Sequence, residues 1–209
     1  LKLSQTAEVW LFDCGEGTQH QLMKSSIKSS QIKKIFITHM HGDHVYGLPG
    51  LLATLGLSGN SNGIEIYGPS ELRSFVISAL KNSYCKLSFP LRFIKVEDFA
   101  SLNKVLFESD KIEVHCASLK HRLPAYGYRV SEKDKPGIFD IKKAKDFKIP
   151  PGPLYSELQL GKTIELKDGR SFNGKEFCGP PRKGESFVYC TDTVSVSYTH
   201  LTLPTNRCV

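Results

Sequence analysis

Three of the chain's seven histidines and an aspartate fall within one hexapeptide, His39-Met40-His41-Gly42-Asp43-His44. Imidazole nitrogens and carboxylate oxygens are the donors preferred by a borderline divalent cation such as zinc. His39 and His41 are two residues apart, so at the end of an extended strand both point to one side and can reach one ion. Asp43 and His44 follow the turn at Gly42 and can face a second ion beside the first. The competing reading is a polar loop with chance histidines, and the density of donors argues against it. His121, ahead of Arg122 and Pro124, reads as a ligand or as a satisfied core or surface histidine. Asp192, in Thr191-Asp192-Thr193, reads more readily as a turn or cap residue. His20 and His115 read as structural.

The elements that must carry these residues are legible in outline. The segment 33–38 (KKIFIT) is a buried strand that runs straight into His39. Apolar β-rich runs predict further strands at 9–13, 64–67, near 87–90, and at 112–119, 126–130 and 187–190. Helices are expected over 19–25, from near Pro49, and from Ser70 and Glu71 to about Lys81. Strands interleaved with helices predict an α/β layered domain.

The 209 residues suffice for one sizeable domain, and 40% hydrophobic with 23% charged residues is ordinary for a globular protein. A disordered chain, a collagen-like repeat and a membrane bundle are thereby excluded, and no apolar run approaches the ~20 residues of a spanning helix. The formal charge of +7 suits a polyanionic partner. Six dispersed cysteines without a Cys-x-x-Cys pair predict reduced thiols and an intracellular, cytoplasmic location, with an organelle left open.

His-x-His-x-Asp-His after a strand resembles the metallo-β-lactamase superfamily, an αββα sandwich with metals at the sheet edges. Other motifs narrow the resemblance to the ribonuclease Z family of tRNA 3′-processing endonucleases, in its short form. They are Phe12-Asp13-Cys14-Gly15-Glu16-Gly17-Thr18-Gln19, Gly47-Leu48-Pro49-Gly50-Leu51, and His121-Arg122-Leu123-Pro124-Ala125-Tyr126-Gly127-Tyr128. Pro151-Gly152-Pro153 and Tyr189-Cys190-Thr191-Asp192-Thr193 complete the set, from about Val9 to Val194 in the family's order. The resemblance implies that His39, His41 and His121 bind a first zinc and that Asp43 and His44 bind a second. By the same resemblance Asp192 bridges the two ions and Asp43 orients or deprotonates the attacking water. Asp13 and Glu16 are expected to support these loops through hydrogen bonds. The implied reaction removes the 3′ trailer of precursor tRNA, leaving a 3′-hydroxyl on the tRNA and a 5′-phosphate on the trailer. The alternatives are another hydrolase of this fold, a thioesterase or small phosphodiesterase, and a non-catalytic RNA-binding fragment.

The stretch from about 131 to 185 carries 12 Lys/Arg against 9 Asp/Glu and is rich in Gly and Pro. It reads as a protruding basic arm or as a long solvated loop with a hairpin. The family resemblance makes it a flexible tRNA-gripping arm in a homodimer. There Lys142, Lys143, Lys145 and Lys148, with Pro151, Gly152 and Pro153, would meet the substrate. One domain over 1–194 is expected, with 195–209 a non-native tail that reads as a translated sequencing adapter. By the same resemblance the sandwich is incomplete. An N-terminal strand and substrate loop, a His-Glu-x-Thr-like segment with its general-acid histidine, and a last histidine of the second metal site are expected beyond the ends.

Overall fold

The computed structural model describes residues 1–3, 6–59 and 62–193, so the 195–209 tail lies outside the described residues. In chain order the first elements are β1 (Val9–Phe12), α1 (Thr18–Lys24), β2 (Ile32–Phe36), α2 (Gly42–Val45), α3 (Gly47–Leu57), β3 (Ile64–Gly68) and α4 (Glu71–Asn82). Next come β4 (Leu91–Lys95), α5 (Glu97–Ser101), β5 (Val105–Glu108), β6 (Ile112–Leu119) and β7 (Ala125–Glu132). The rest are α6 (Ile141–Asp146), α7 (Pro153–Gln159), β8 (Thr163–Glu165), β9 (Ser171–Asn173) and β10 (Ser186–Tyr189). They divide between two compact units. The first holds Leu1–Glu108, Glu113–Val130 and the residues from Phe187 on; the second holds Ser109–Ile112 and Ser131–Ser186.

Two four-stranded sheets form the first unit, one parallel in the order β1-β2-β3-β4, the other in the order β10-β7-β6-β5 with β5 antiparallel to β6. Parallel strands are buried on both faces, and β1 (VWLF) accordingly reads as an apolar run, while β2 and β3 bury Lys34 and Ile66-Tyr67 among their residues. One face packs on α3 and α4: Ile35, Ile37, Ile64 and Ile66 meet Leu48, Leu51, Leu52, Leu55, Leu72 and Val76. Aromatic rings fill the other face. Phe36 lies between Tyr67 at 4.6 Å and Tyr128 at 5.3 Å, and Phe12 meets Phe187 and Tyr189 at 5.4 and 5.3 Å. Lys34 is buried here too, paired with Glu65 and 4.0 Å from the Phe107 ring centre, so its charge keeps both an anion and a π face. The layers therefore run helix, sheet, sheet.

β4 begins four residues later than expected, because Pro90 has no N–H to give a ladder and instead accepts from Ile64 N. α3 begins at Gly47, before Pro49, since the first turn needs no N–H from the proline. Gly47 is required there: its N–H donates to Cys14 O, and a Cβ would lie 1.9 Å from Gly15 O. Two backbone segments cannot move apart cheaply, so Gly47→Ala is expected to destabilise the chain by about 3 kcal/mol or more, measured by urea unfolding. An unchanged midpoint would refute this close packing.

The second unit has its own hydrophobic core of Ala144, Ile149, Leu158, Ile164 and Phe177, packed by Phe139, Leu154, Tyr155, Leu166 and Phe172. Its charge and its Gly and Pro content leave a protruding arm and a long solvated loop both open, and short elements with strong stops divide it. Asp140 caps α6 by accepting from Lys143 N, and Pro153 opens α7 after Gly152 at φ +138°.

Candidate metal centre

β2 ends at Phe36, and the chain beyond it stays tied on both sides. Ile37 N donates to Tyr67 O, and Tyr126 N donates to Thr38 O. This delivers Thr38 and His39, both wholly buried, to the edge where the two sheets meet. α2 then turns the chain so that His44 faces back toward His39, with ring centres 4.1 Å apart. The β6–β7 connection brings in His121, and the segment after β10 brings in Asp192.

All six expected ligands converge. One donor atom each from His39, His41, His121 and Asp192 lie within 4.8 Å of one another, as do atoms of Asp43, His44 and Asp192. Asp192 belongs to both groups. His39 Nε2 is 3.0 Å from His41 Nδ1 and 3.7 Å from Asp192 Oδ2, and His121 Nε2 is 3.2 Å from the same His41 Nδ1. His44 Nε2 is 3.4 Å from Asp43 Oδ2 and 3.7 Å from Asp192 Oδ2.

Asp13 sets the proton positions. Its carboxylate accepts from Thr38 N (2.8 Å), from the Thr38 hydroxyl (2.9 and 3.0 Å) and from His44 Nδ1 (2.8 Å). It holds this position with a backbone φ of +57°, a conformation that Asp tolerates better than most residues. Thr38 has one hydroxyl proton and gives it to Asp13, so toward His39 Nδ1, 2.9 Å away, the same oxygen can only accept. His39 and His44 therefore carry their protons on Nδ1, and both Nε2 lone pairs face the donor groups.

Such an arrangement fits a cation. His39 Nε2 has no proton of its own, so its lone pair is free for an ion; His41 Nδ1 stands 3.0 Å from it, and His121 Nε2 stands 3.2 Å from that His41 nitrogen. A small tetrahedral ion bound at about 2.0–2.1 Å sets its nitrogen ligands about 3.3 Å apart, close to the spacings here. Burial, then the neighbouring His44 and His41 imidazoles, hold the His39 pKa below its ordinary value, favouring the neutral form a metal needs. For Asp192, burial works against ionisation. A backbone hydrogen bond and the imidazoles of His44, His39 and His121 prevail and lower its pKa. The centre is suited to a metal ion.

Other expected residues separate. Asp13 stands beneath the donors, whereas Glu16 is exposed and its carboxylate meets no partner among the described residues, which leaves its expected supporting role without a contact. His20 is exposed and His115 pairs with Glu113 at 3.2 Å, both away from the donors. In the second unit Lys142, Lys145, Lys148, Pro151, Gly152 and Pro153 are exposed. Lys143 is not free: its Nζ donates to Glu176 O at 2.6 Å and lies 5.1 Å from the Phe177 ring centre. Sequence reasoning missed Thr38, whose only signal was polarity next to a ligand. A cavity of about 600 Å³ opens beside Asp43, lined by Leu11, Phe12, Leu22 and Ile27 among others.

The family model described as Anti-Pycsar protein Apyc1 matches residues 3–132, more than half of the chain. The chain belongs to that family. Its similarity to ribonuclease Z is high: 88% identity over 194 residues to the protein of that name from Prochlorococcus marinus subsp. pastoris, covering 93% of this chain. The Ribonuclease Z of Prochlorococcus marinus strain NATL2A is 61% identical over the same length. The chain spans 62% of the length of these curated relatives. Among solved structures, human tRNase Z, short form, matches with a TM-score of 0.56 and 39% identity, covering 69% of this chain and 64% of that one. A long form RNase Z from yeast, at 16% identity and a TM-score of 0.52, shares the fold, covering 64% of this chain and 24% of its own. The likeness to ribonuclease Z and the metallo-β-lactamase fold, named from the motifs, are both borne out. Among the described residues no helix is long and apolar enough to cross a membrane.

Proposed function

We propose that the whole protein is a zinc-dependent endoribonuclease that removes the 3′ trailer of precursor tRNA, leaving a tRNA 3′-hydroxyl and a 5′-phosphate on the trailer. The observation that carries this reading is the pair of donor groups sharing Asp192, in a chain 88% identical to a protein called Ribonuclease Z. Two zinc ions per complete subunit would lower the pKa of a bound water and neutralise charge on the scissile phosphate. His39, His41 and His121 would hold one, Asp43 and His44 the other, and Asp192 both. Asp43 is exposed beside His44 Nε2, where its carboxylate can orient the attacking water and take its proton. The cavity beside Asp43 offers apolar walls to a nucleotide flanking that phosphate.

Of the residues that would grip the substrate, Lys142, Lys145 and Lys148 are exposed and free to meet phosphates, with Pro151-Gly152-Pro153 close by in sequence, whereas Lys143 steadies the unit's core. A homodimer and a cytoplasmic location complete the proposal; the five described cysteines, all free, suit a reducing compartment.

The direct test is cleavage of a precursor tRNA, with the chemistry of both new ends determined, beside a thioester and bis(p-nitrophenyl) phosphate. Hydrolysis of the thioester with an intact precursor would overturn the reading. Replacing Lys142, Lys145 and Lys148 together by Ala is expected to flatten the salt dependence of tRNA binding by about 2–3 in log–log slope, with the small phosphodiester unaffected. Equal losses on both substrates would remove these lysines from RNA binding.

A further inference from the structure

Asp192 is the one residue common to both donor groups, yet it stands in neither helix nor strand and its side chain is 48% exposed. Left to itself, a carboxylate in such a segment samples several rotamers, and the entropy of ordering it would be charged against each ligand bound. The residues on either side remove that freedom. Thr191 Oγ1 donates to Thr38 Oγ1 at 3.1 Å, and Thr193 Oγ1 donates to Lys120 O at 3.3 Å. Thr38 immediately precedes His39, and Lys120 immediately precedes His121. The segment is thus stitched on one side to the strand end that bears the first ligand and on the other to the loop that bears the third.

The Thr38 hydroxyl oxygen is the point where these contacts meet. It gives its one proton to Asp13 and accepts from both His39 Nδ1 and Thr191 Oγ1. The ring orientation of His39 and the placement of Asp192 are therefore referred to the same atom. Two residues before Thr191, the Tyr189 ring packs on Phe12, fixing the strand from which the segment departs.

We propose that Thr191 and Thr193 are positioning residues that hold the Asp192 carboxylate between the His39 and His121 loops. The proposal rests on the metal-centre reading and adds to it the residues that make the shared ligand rigid. What it requires of both side chains is a hydroxyl, because valine fills the same volume without donating and serine donates without the extra methyl.

The test is Zn²⁺ affinity of the 209-residue chain, measured by competition with a chromophoric chelator, together with thermal unfolding of the metal-free protein. Thr191→Val with Thr193→Val is expected to weaken Zn²⁺ binding about tenfold or more, the scale of losing an outer hydrogen-bond partner of a ligand. Thr191→Ser with Thr193→Ser is expected to stay within about twofold of the parent chain. Parent-like affinity of the valine pair would overturn the proposal while leaving the metal centre standing. Failure of the parent chain itself to bind Zn²⁺ would overturn both. If the valine pair unfolds, Thr193→Val and the serine pair decide: unimpaired binding by the first, or lost binding by the second, also overturns it.

Discussion

Replacing Asp192 by alanine is expected to strip metal from both donor groups and, on the proposed function, to lower precursor-tRNA cleavage by the whole protein about 10³-fold, about 4 kcal/mol of transition-state stabilisation. Its Oδ2 lies 3.7 Å from both His39 Nε2 and His44 Nε2, so one truncation withdraws a ligand from each group. Losing an outer partner of a ligand costs 10–100-fold in affinity, and losing the ligand itself should cost more. The side chain is half exposed and fills no core, so unfolding of the metal-free chain should move by no more than about 0.5 kcal/mol. Metal content by atomic absorption and urea unfolding of the same preparation test both halves. Full metal retention would remove Asp192 from its shared position, and a large loss of stability would make its role one of packing.

Asp13→Asn and Asp13→Ala should separate what is joined in one side chain. The carboxylate takes three donors: Thr38 N, Thr38 Oγ1 and His44 Nδ1. Asparagine keeps the shape and tolerates the φ of +57°, but its NH₂ must face either His44 or Thr38, both of which donate. His44 then turns or changes tautomer, and metal affinity is expected to fall 10–100-fold with a modest loss of stability. Alanine leaves all three donors without an acceptor around a buried site, at about 1–3 kcal/mol each before relaxation or entry of water. A loss of about 3–5 kcal/mol in unfolding free energy is expected for Asp13→Ala. Parent-like metal affinity in Asp13→Asn would show that the tautomer of His44 does not depend on this carboxylate.

The second unit shows where composition stops short. Twelve basic residues and frequent Gly and Pro leave a protruding arm and a long solvated loop with a hairpin both open, and only the structure shows that Phe139, Leu158, Phe172 and Phe177 meet in a core of their own. These residues are spread over short elements of three to seven residues, too brief for a period of 2 or 3.6 to emerge. The surroundings of Lys143 are illegible locally for the same reason. Whether a lysine faces solvent or bends back onto Phe177 and Glu176 O depends on contacts more than thirty residues away.

At the metal centre the division follows distance along the chain. His39, His41, Asp43 and His44 lie within six residues, and one strand end with one turn converts their spacing into a common facing, so the sequence alone determined them as donors. His121 and Asp192 were legible only through resemblance to a family. His121 meets His41 across 80 residues, and Thr191 meets Thr38 across 153. No local periodicity encodes such pairs; the packing of one sheet against the other brings them together. That packing also decided what no pattern could: which imidazole nitrogens hold protons, through one buried threonine hydroxyl with a single hydrogen to give.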